Sequence, residues 1–140
     1  MVLYRPVGLN ELKLIAQTGF TAFPPRLPEQ PIFYPVLNFE YAEQIARGWN
    51  TKQAPFAGFV TKFEVDDAYA QNFDVQVVGN GMHQELWVPA EALDEFNRHI
   101  VGTIIVEVAY YGEQFTGELD PATNLPRDIV TVRTLAAAPK

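Results

Sequence analysis

The side chains available for chemistry in this chain are carboxylates, arginines, tyrosines and threonines. The sequence contains no serine and no cysteine, which excludes hydrolases that use either residue as the nucleophile. Neither of the two histidines, His83 and His99, stands at metal-ligand spacing from a pair of carboxylates, so we expect no dedicated metal site. The glycine-rich run at 79–81 stands between two predicted strands rather than before a helix, so it does not predict a phosphate-binding loop.

Two positions near the N-terminus combine a polar group with aromatic neighbours. Arg5 ends the first predicted strand directly after Tyr4, and it is either a surface residue at a strand end or a cation that binds an anion. Phe33 and Tyr34 follow a proline-rich segment, and core packing would account for one of the two. These residues are the first candidates for a binding site.

The third candidate is Glu85 in the stretch HQELWVP. Side chains alternate between the two faces of a strand, so Glu85 shares a face with Trp87, whereas Leu86 and Val88 share the other. Glu85 is then either a solvated residue beside a tryptophan or a carboxylate that faces a cleft. Trp87 would lie at the floor of that cleft.

The elements that must position these residues are helices and strands in irregular alternation. The predicted elements are strands over 2–5 and 31–37, a helix from Leu9 that stops at Gly19, a helix capped by Asn38, a strand over Phe56–Val65, a short helix capped by Asp66, hairpin strands over 74–78 and 84–88, a helix from Pro89 to His99 and a strand over 103–111. The hairpin, and Pro35 inside a strand, favour an α+β fold with a mixed, largely antiparallel sheet and three to four short helices.

Several details of this organisation are specific enough to be checked. Pro6 and Gly8 are expected to end the first strand, and Pro35 is expected to place its strand at an edge or at a bulge. Trp49 shares a helical stripe with apolar residues, so we expect it in the core. We expect one domain over 1–112 and an extension over 113–140 that adds at most one strand over 128–135 and frays at its end.

Composition limits the classes of partner. The chain has 140 residues, a net charge of −7 and a pI of about 4.7, which argues against a protein that binds nucleic-acid phosphates but not against one that binds a nucleotide. The N-terminus lacks a basic start and a long apolar run, and no stretch approaches the ~18 continuous apolar residues of a membrane span. The absence of cysteine fits a reducing compartment, so we predict a cytoplasmic location.

The order of these motifs resembles that of ADP-ribosyltransferase-like proteins. LYR precedes a helix that ends in glycine, an aromatic-rich strand leads into YAEQIA, and HQELWVP precedes a further helix. Over residues 3 to 110 the chain also resembles a bacterial group of small proteins that carries an ADP-ribosylation/J-type crystallin label and the motifs YRPVG, FPPRLPEQPIFYPV and E.W.PAE. J-type crystallin relatives are helical and depend on metal bound by aspartate clusters, which this chain lacks, so the resemblance implies the transferase-like fold.

The resemblance also implies roles for the candidate residues. Arg5 would contact the ribose or pyrophosphate of NAD, Tyr34 would take the middle-strand position, and Glu85 would be the catalytic carboxylate. His83 stands two residues earlier, where transferases that modify arginine carry Glu or Gln, so an arginine acceptor is not implied. A fixed carboxylate can stabilise the oxocarbenium-like state of nicotinamide cleavage without a metal.

The proline-rich segment FPPRLPEQP before Phe33 is open to two interpretations. As a preorganised wall or lid of the NAD site, it would direct Arg26 toward an anionic ligand and leave Phe33 or Tyr34 to stack on a ring. Alternatively, its prolines only shape and cover a sheet edge. Both interpretations predict a stiff, extended segment.

Two functions follow from the sequence. The first is an NAD-dependent ADP-ribosyltransferase that modifies an unknown acceptor, with a nucleotide and a protein acceptor as its partners. The second is a non-catalytic module of the same fold that binds NAD, another nucleotide or a protein partner. The ordered trio Arg5, Tyr34 and Glu85 motivates the first function, and the acidic surface motivates the second.

Overall fold

A three-stranded antiparallel sheet forms the centre of the fold in the computed structural model, which describes residues 1–79 and 81–130. The strands are β1 (Val2–Gly8), β2 (Ile32–Phe33), β3 (Ala57–Val65), β4 (Val75–Val77), β5 (Gln84–Leu86), β6 (Val88–Pro89) and β7 (Ile100–Tyr111). The central order is β1-β3-β7, and β2 pairs with β6 and β4 with β5. All these pairs are antiparallel, so the predicted α+β fold is confirmed, whereas the parallel pairing of a mixed sheet is absent from the described residues.

Four α-helices connect the strands. They are α1 (Leu9–Gln17), α2 (Phe39–Gly48), α3 (Asp67–Ala70) and α4 (Leu93–Arg98), with 3₁₀ turns at Asn50–Lys52 and Ala90–Ala92. The Asn38 side chain accepts a hydrogen bond from the Tyr41 backbone N–H at 2.8 Å, and Asp66 caps α3 in the same way through Tyr69 at 3.0 Å. Both predicted caps are therefore confirmed. Gly19 follows the end of α1 with φ +75°, a conformation that glycine adopts without strain.

Val36 joins the β4–β5 hairpin to the central sheet. It exchanges two backbone hydrogen bonds with Tyr4, at 2.9 and 2.8 Å, and bridges to Glu85 on its other side. The Pro35 carbonyl accepts from the Leu86 N–H at 2.9 Å. The strand predicted over 31–37 is thus divided into β2 and a single bridge at Val36, because Pro35 has no N–H for a continuous ladder.

Pro6 does not end the first strand, contrary to our prediction, whereas Gly8 is its last residue, as predicted. β1 continues to Gly8, with Pro6 opposite Val60 of β3. The N–H and C=O of Tyr4 face Val36, away from β3, and Pro6 lies two residues further along, so its missing N–H falls on this same outer edge. Pro6 therefore removes no hydrogen bond from the β1–β3 ladder, and it leaves the end of β1 uncovered on that side.

Helices cover both faces of the sheet. The main core lies on the face of α1, α3 and α4, where Leu3, Val7 and Phe63 alternate inward from the strands. A second cluster on the opposite face packs α2 against Val36 and Val60. Arg5 lies between Leu3 and Val7 on the α1 face, because it shares their parity along β1.

Trp49 is not a core residue, contrary to our expectation. It follows α2 as its C-cap and is 61% exposed, whereas Ala42 and Ala46 carry the buried contacts of the helix. The approach of α2 to β3 is so close that a Cβ at Gly58 would overlap the Ala46 carbonyl group. Small residues bring this helix against the sheet, and the large indole stays outside.

The residues after Gly112 also contribute to the main core, through Leu125 and Ile129. Residues 127–130 are helical, so the strand predicted over 128–135 is wrong for its first three residues. Its remaining positions, the expected frayed end at 136–140 and Asn80 of the predicted hairpin turn lie outside the described residues.

The helices of the described chain are all short. Within residues 1–79 and 81–130, no helix is long and apolar enough to cross a membrane.

Candidate functional site

A pocket of about 520 Å³ lies beside the uncovered end of β1. Its walls come from β1, α1, the proline-rich segment, the end of α2 and β5. Arg5, Arg26, Tyr34 and Glu85 all line it, although they belong to four separate segments of the chain. The trio expected from the sequence therefore converges on one cavity.

Arg5 is a nearly buried cation, 9% exposed, held by several contacts. Its Nε and Nη2 donate to the two carboxylate oxygens of Glu11 at 2.7 and 3.0 Å, and its Nη1 donates to the Tyr34 carbonyl at 3.4 Å. The guanidinium carbon lies 4.7 Å from the centroid of the Phe33 ring, within cation–π range. This arrangement satisfies the buried charge and fixes its direction.

Glu85 is a buried carboxylate, 8% exposed, with a donor on each oxygen. The Tyr41 hydroxyl donates to Oε2 at 3.0 Å, and the Trp87 Nε1–H donates to Oε1 at 2.8 Å. An ionised carboxylate has about four acceptor sites, so about two remain for a ligand hydroxyl. The shared face of Glu85 and Trp87 predicted from strand alternation is therefore confirmed by a direct hydrogen bond.

The environment of Tyr41 keeps its hydroxyl protonated. Burial, followed by the hydrogen bond to Glu85 and the charge of that carboxylate, raises the pKa of Tyr41 to about 12. A phenol whose ionisation is suppressed remains a hydrogen-bond donor throughout the physiological range. Tyr41 therefore acts as a permanent donor that orients Glu85.

We expect the raised pKa of Tyr41 to make the protein less stable at high pH. The unfolded chain ionises near the ordinary tyrosine pKa of 10 and the folded one near 12, so the contribution is complete below pH 10 and is lost as the pH rises to 12. Urea unfolding at pH 9 and pH 11 should show a smaller loss in Tyr41→Phe than in the wild type. Tyr111, whose pKa burial also raises to about 12, should maintain a residual loss. Equal losses in both proteins would contradict this account.

Aromatic side chains surround the mouth of the pocket. Tyr34 is 39% exposed and Trp87 45% exposed, and their rings meet edge to face with centroids 6.1 Å apart. Trp49 lines the pocket from the end of α2. Tyr34 and Trp87 therefore present ring surface at the mouth of the pocket, and Trp87 lies at this rim rather than at the floor that we expected for it.

Arg26 supplies the second cation of the pocket. Its Nε donates to the Ile32 carbonyl at 3.0 Å, and among the described residues it forms no ion pair with a carboxylate. Burial, followed by repulsion from the Arg5 guanidinium, lowers the pKa of Arg26. The two guanidinium groups are thus close enough to influence each other, and that of Arg26 has no carboxylate partner among the described residues.

Phe33 and His83, which we expected to contact the cofactor, do not line the pocket. Phe33 is fully buried, and its ring packs beneath Arg5 rather than toward a ligand. His83 stacks on Tyr41 with centroids 4.5 Å apart, and its Nε2 lies 3.2 Å from the Gln44 side-chain oxygen. Both residues support pocket residues instead of facing the cavity.

Sequence reasoning missed two partners of the candidate site. Glu11 stands six residues after Arg5, in the first turn of α1. This spacing could have indicated the contact, because a helix that directly follows a short strand folds back beside it. Tyr41 stands 44 residues from Glu85 in sequence, and no local pattern indicates that pair. Each partner satisfies one of the two buried charges.

The described part of the chain holds no group of three or more His, Asp or Glu side chains that could bind a metal ion. No protein-family model matches the chain, and no curated protein or solved structure is significantly similar to it.

Proposed function

We propose that the pocket binds NAD and that the protein transfers ADP-ribose from it to an acceptor. The observation that supports this function best is the meeting of Arg5, Tyr34 and Glu85 in one cavity. A volume of about 520 Å³ lies within the range of small-molecule sites, roughly 300–1,000 Å³. In this proposal Arg5 and Arg26 face the phosphates, and Tyr34 and Trp87 face the planar ring.

The proposed reaction requires little beyond the carboxylate of Glu85. The bond between the ribose C1′ and the pyridinium nitrogen breaks, and its electron pair leaves with neutral nicotinamide. Positive charge develops at C1′ and the ring oxygen, where the carboxylate stabilises it while accepting a hydrogen bond from a ribose hydroxyl. The acceptor then attacks C1′, and its proton passes to solvent. Tyr41 and Trp87 hold the carboxylate oxygens in place before the reaction begins.

A second function, a non-catalytic nucleotide-binding or protein-interaction module, is favoured by a different observation. Arg5 and Glu85 are each satisfied by neighbours, Arg5 by Glu11 and Glu85 by Tyr41 and Trp87. Charged groups whose hydrogen bonds are already satisfied within the protein also suit a purely structural role. The two functions differ in whether bound NAD loses nicotinamide.

Trp87 provides a direct test for binding. In a Trp49→Phe variant it is the only tryptophan, and we expect its fluorescence to change on titration with NAD or with nicotinamide, because Trp87 lines the pocket. A Trp49→Phe/Trp87→Phe variant supplies the baseline for absorption by the ligand. A flat titration in folded Trp49→Phe, together with no heat of binding at millimolar NAD, would contradict NAD binding at this pocket.

Catalysis is tested by incubating the protein with NAD labelled in its adenine part. Protein-linked label or released nicotinamide supports the transferase. Binding without either product supports the non-catalytic module.

A further inference from the structure

We propose that Glu11 is a built-in competitor of the ligand, occupying the guanidinium of Arg5 where a ligand phosphate is to bind. Phosphate binding then requires the carboxylate of Glu11 to leave and a phosphate to take over its two hydrogen bonds. This inference rests on the proposed function only in that the ligand carries a phosphate. It makes Glu11 a residue that sets the affinity of the pocket for anions.

The geometry of the Arg5–Glu11 pair is the first reason. Two parallel N–H···O bonds of 2.7 and 3.0 Å join them, the paired arrangement that guanidinium forms equally with a carboxylate and with a phosphate. Both residues line the same pocket. The carboxylate therefore stands in the position that a phosphate oxygen pair would take.

Arg5 has supports other than Glu11. The Phe33 ring supports the guanidinium at 4.7 Å, and the Tyr34 carbonyl accepts from Nη1. Its backbone is held in β1, where the Thr61 hydroxyl also donates to the Arg5 carbonyl at 2.8 Å. The cation therefore remains directed at the pocket when the carboxylate leaves.

Glu11 is the more exposed partner of the pair. Its side chain is 23% exposed, compared with 10% for that of Arg5, and it extends from the first turn of α1. A carboxylate that already contacts solvent recovers hydration when it turns outward, and a phosphate on Arg5 replaces the two hydrogen bonds that the guanidinium loses. No described residue other than Arg5 forms a hydrogen bond or an ion pair with the Glu11 carboxylate.

The charge balance of the pocket gives Glu11 its effect. Two arginines and two carboxylates, Arg5, Arg26, Glu11 and Glu85, line the cavity, so their formal charges cancel. When Glu11 turns away, the end of the pocket near the two arginines gains one positive charge. A phosphate bound to Arg5 then also lies in the electrostatic field of Arg26, since both arginines line the same cavity.

Inorganic pyrophosphate, titrated by calorimetry at low ionic strength, tests the competitor directly. We expect Glu11→Gln to bind pyrophosphate about fivefold more tightly than the wild type, because binding no longer has to break the attraction between Arg5 and the Glu11 carboxylate. For two unit charges about 4 Å apart in a water-like medium, that attraction corresponds to a factor of about five. Glu11→Ala should bind at least as tightly as Glu11→Gln. Arg5→Gln/Glu11→Gln should bind pyrophosphate no more tightly than Arg5→Gln alone. The gain of Glu11→Gln over the wild type should shrink with added salt.

A different role for Glu11 predicts the opposite sign. If the carboxylate only positioned Arg5, both Glu11→Gln and Glu11→Ala would bind pyrophosphate more weakly, and that result in proteins that melt like the wild type would overturn the proposal. Absence of pyrophosphate binding by every variant would overturn it as well. Because pyrophosphate has no nicotinamide, tighter binding by Glu11→Gln alongside no NAD turnover would reject the transferase and retain the competitor.

Discussion

Replacing Glu85 with glutamine is expected to lower the rate of nicotinamide release from NAD about 10²- to 10³-fold, the loss typical of removing one electrostatic stabiliser of a transition state. Glutamine has the same shape and can still accept the indole hydrogen bond of Trp87, so the fold should be retained. Glu85→Gln removes the negative charge that, in the proposed reaction, faces the oxocarbenium-like ribose. Release is followed by chromatography at saturating NAD, and the melting temperature is measured on the same samples.

Trp87→Phe is the matched control for this experiment. It removes the hydrogen bond to Oε1 of Glu85 and keeps the carboxylate, so we expect a much smaller loss of rate than in Glu85→Gln. Comparable losses in the two variants would show that the indole, not the charge, governs turnover. Turnover that survives Glu85→Gln at the wild-type rate would eliminate Glu85 as the catalytic carboxylate.

Phe33→Ala is expected to lower the free energy of unfolding by about 3–5 kcal/mol, as truncations of large buried aromatic residues do. Phe33 is fully buried, and its ring lies 4.9 Å from that of Phe23 and 5.5 Å from that of Phe96. The cavity would also open beneath Arg5, which rests on this ring. Urea unfolding followed by circular dichroism measures the change.

Phe33→Leu separates packing from the interaction with the cation. Leucine fills most of the space, so the packing part of the loss of stability should stay below about 1.5 kcal/mol. It offers no aromatic face to Arg5, and the loss of this desolvated cation–π contact adds about 2 kcal/mol in both variants. If the free energy of unfolding of Phe33→Ala lies within about 1 kcal/mol of the wild-type value, Phe33 is not the core residue that its burial indicates.

The two residues of the FY pair illustrate why adjacent positions take different roles. Phe33 belongs to β2 and points into the core, whereas Tyr34 follows it and is exposed at the pocket mouth. Alternation along an extended segment requires this separation. The sequence predicted that core packing would account for one of the two, and the position of the core decided which one.

Much of this protein follows from local patterns in its sequence. The apolar spacing of α1, the caps at Asn38 and Asp66, the β4–β5 hairpin and the shared face of Glu85 and Trp87 depend on neighbours within a few residues. Such patterns are readable because backbone geometry and hydrogen bonding act over one or two turns. The candidate residues could therefore be named before the fold was known.

Only the tertiary structure decided how the candidate residues are partnered. Glu85 meets Tyr41 across 44 residues, Val36 joins β5 to β1, and Trp49 stays outside because Ala46 packs closely against Gly58. Each of these contacts depends on which faces of distant segments meet in the core. Burial and packing between distant segments select those faces, and no short stretch of the sequence contains both partners.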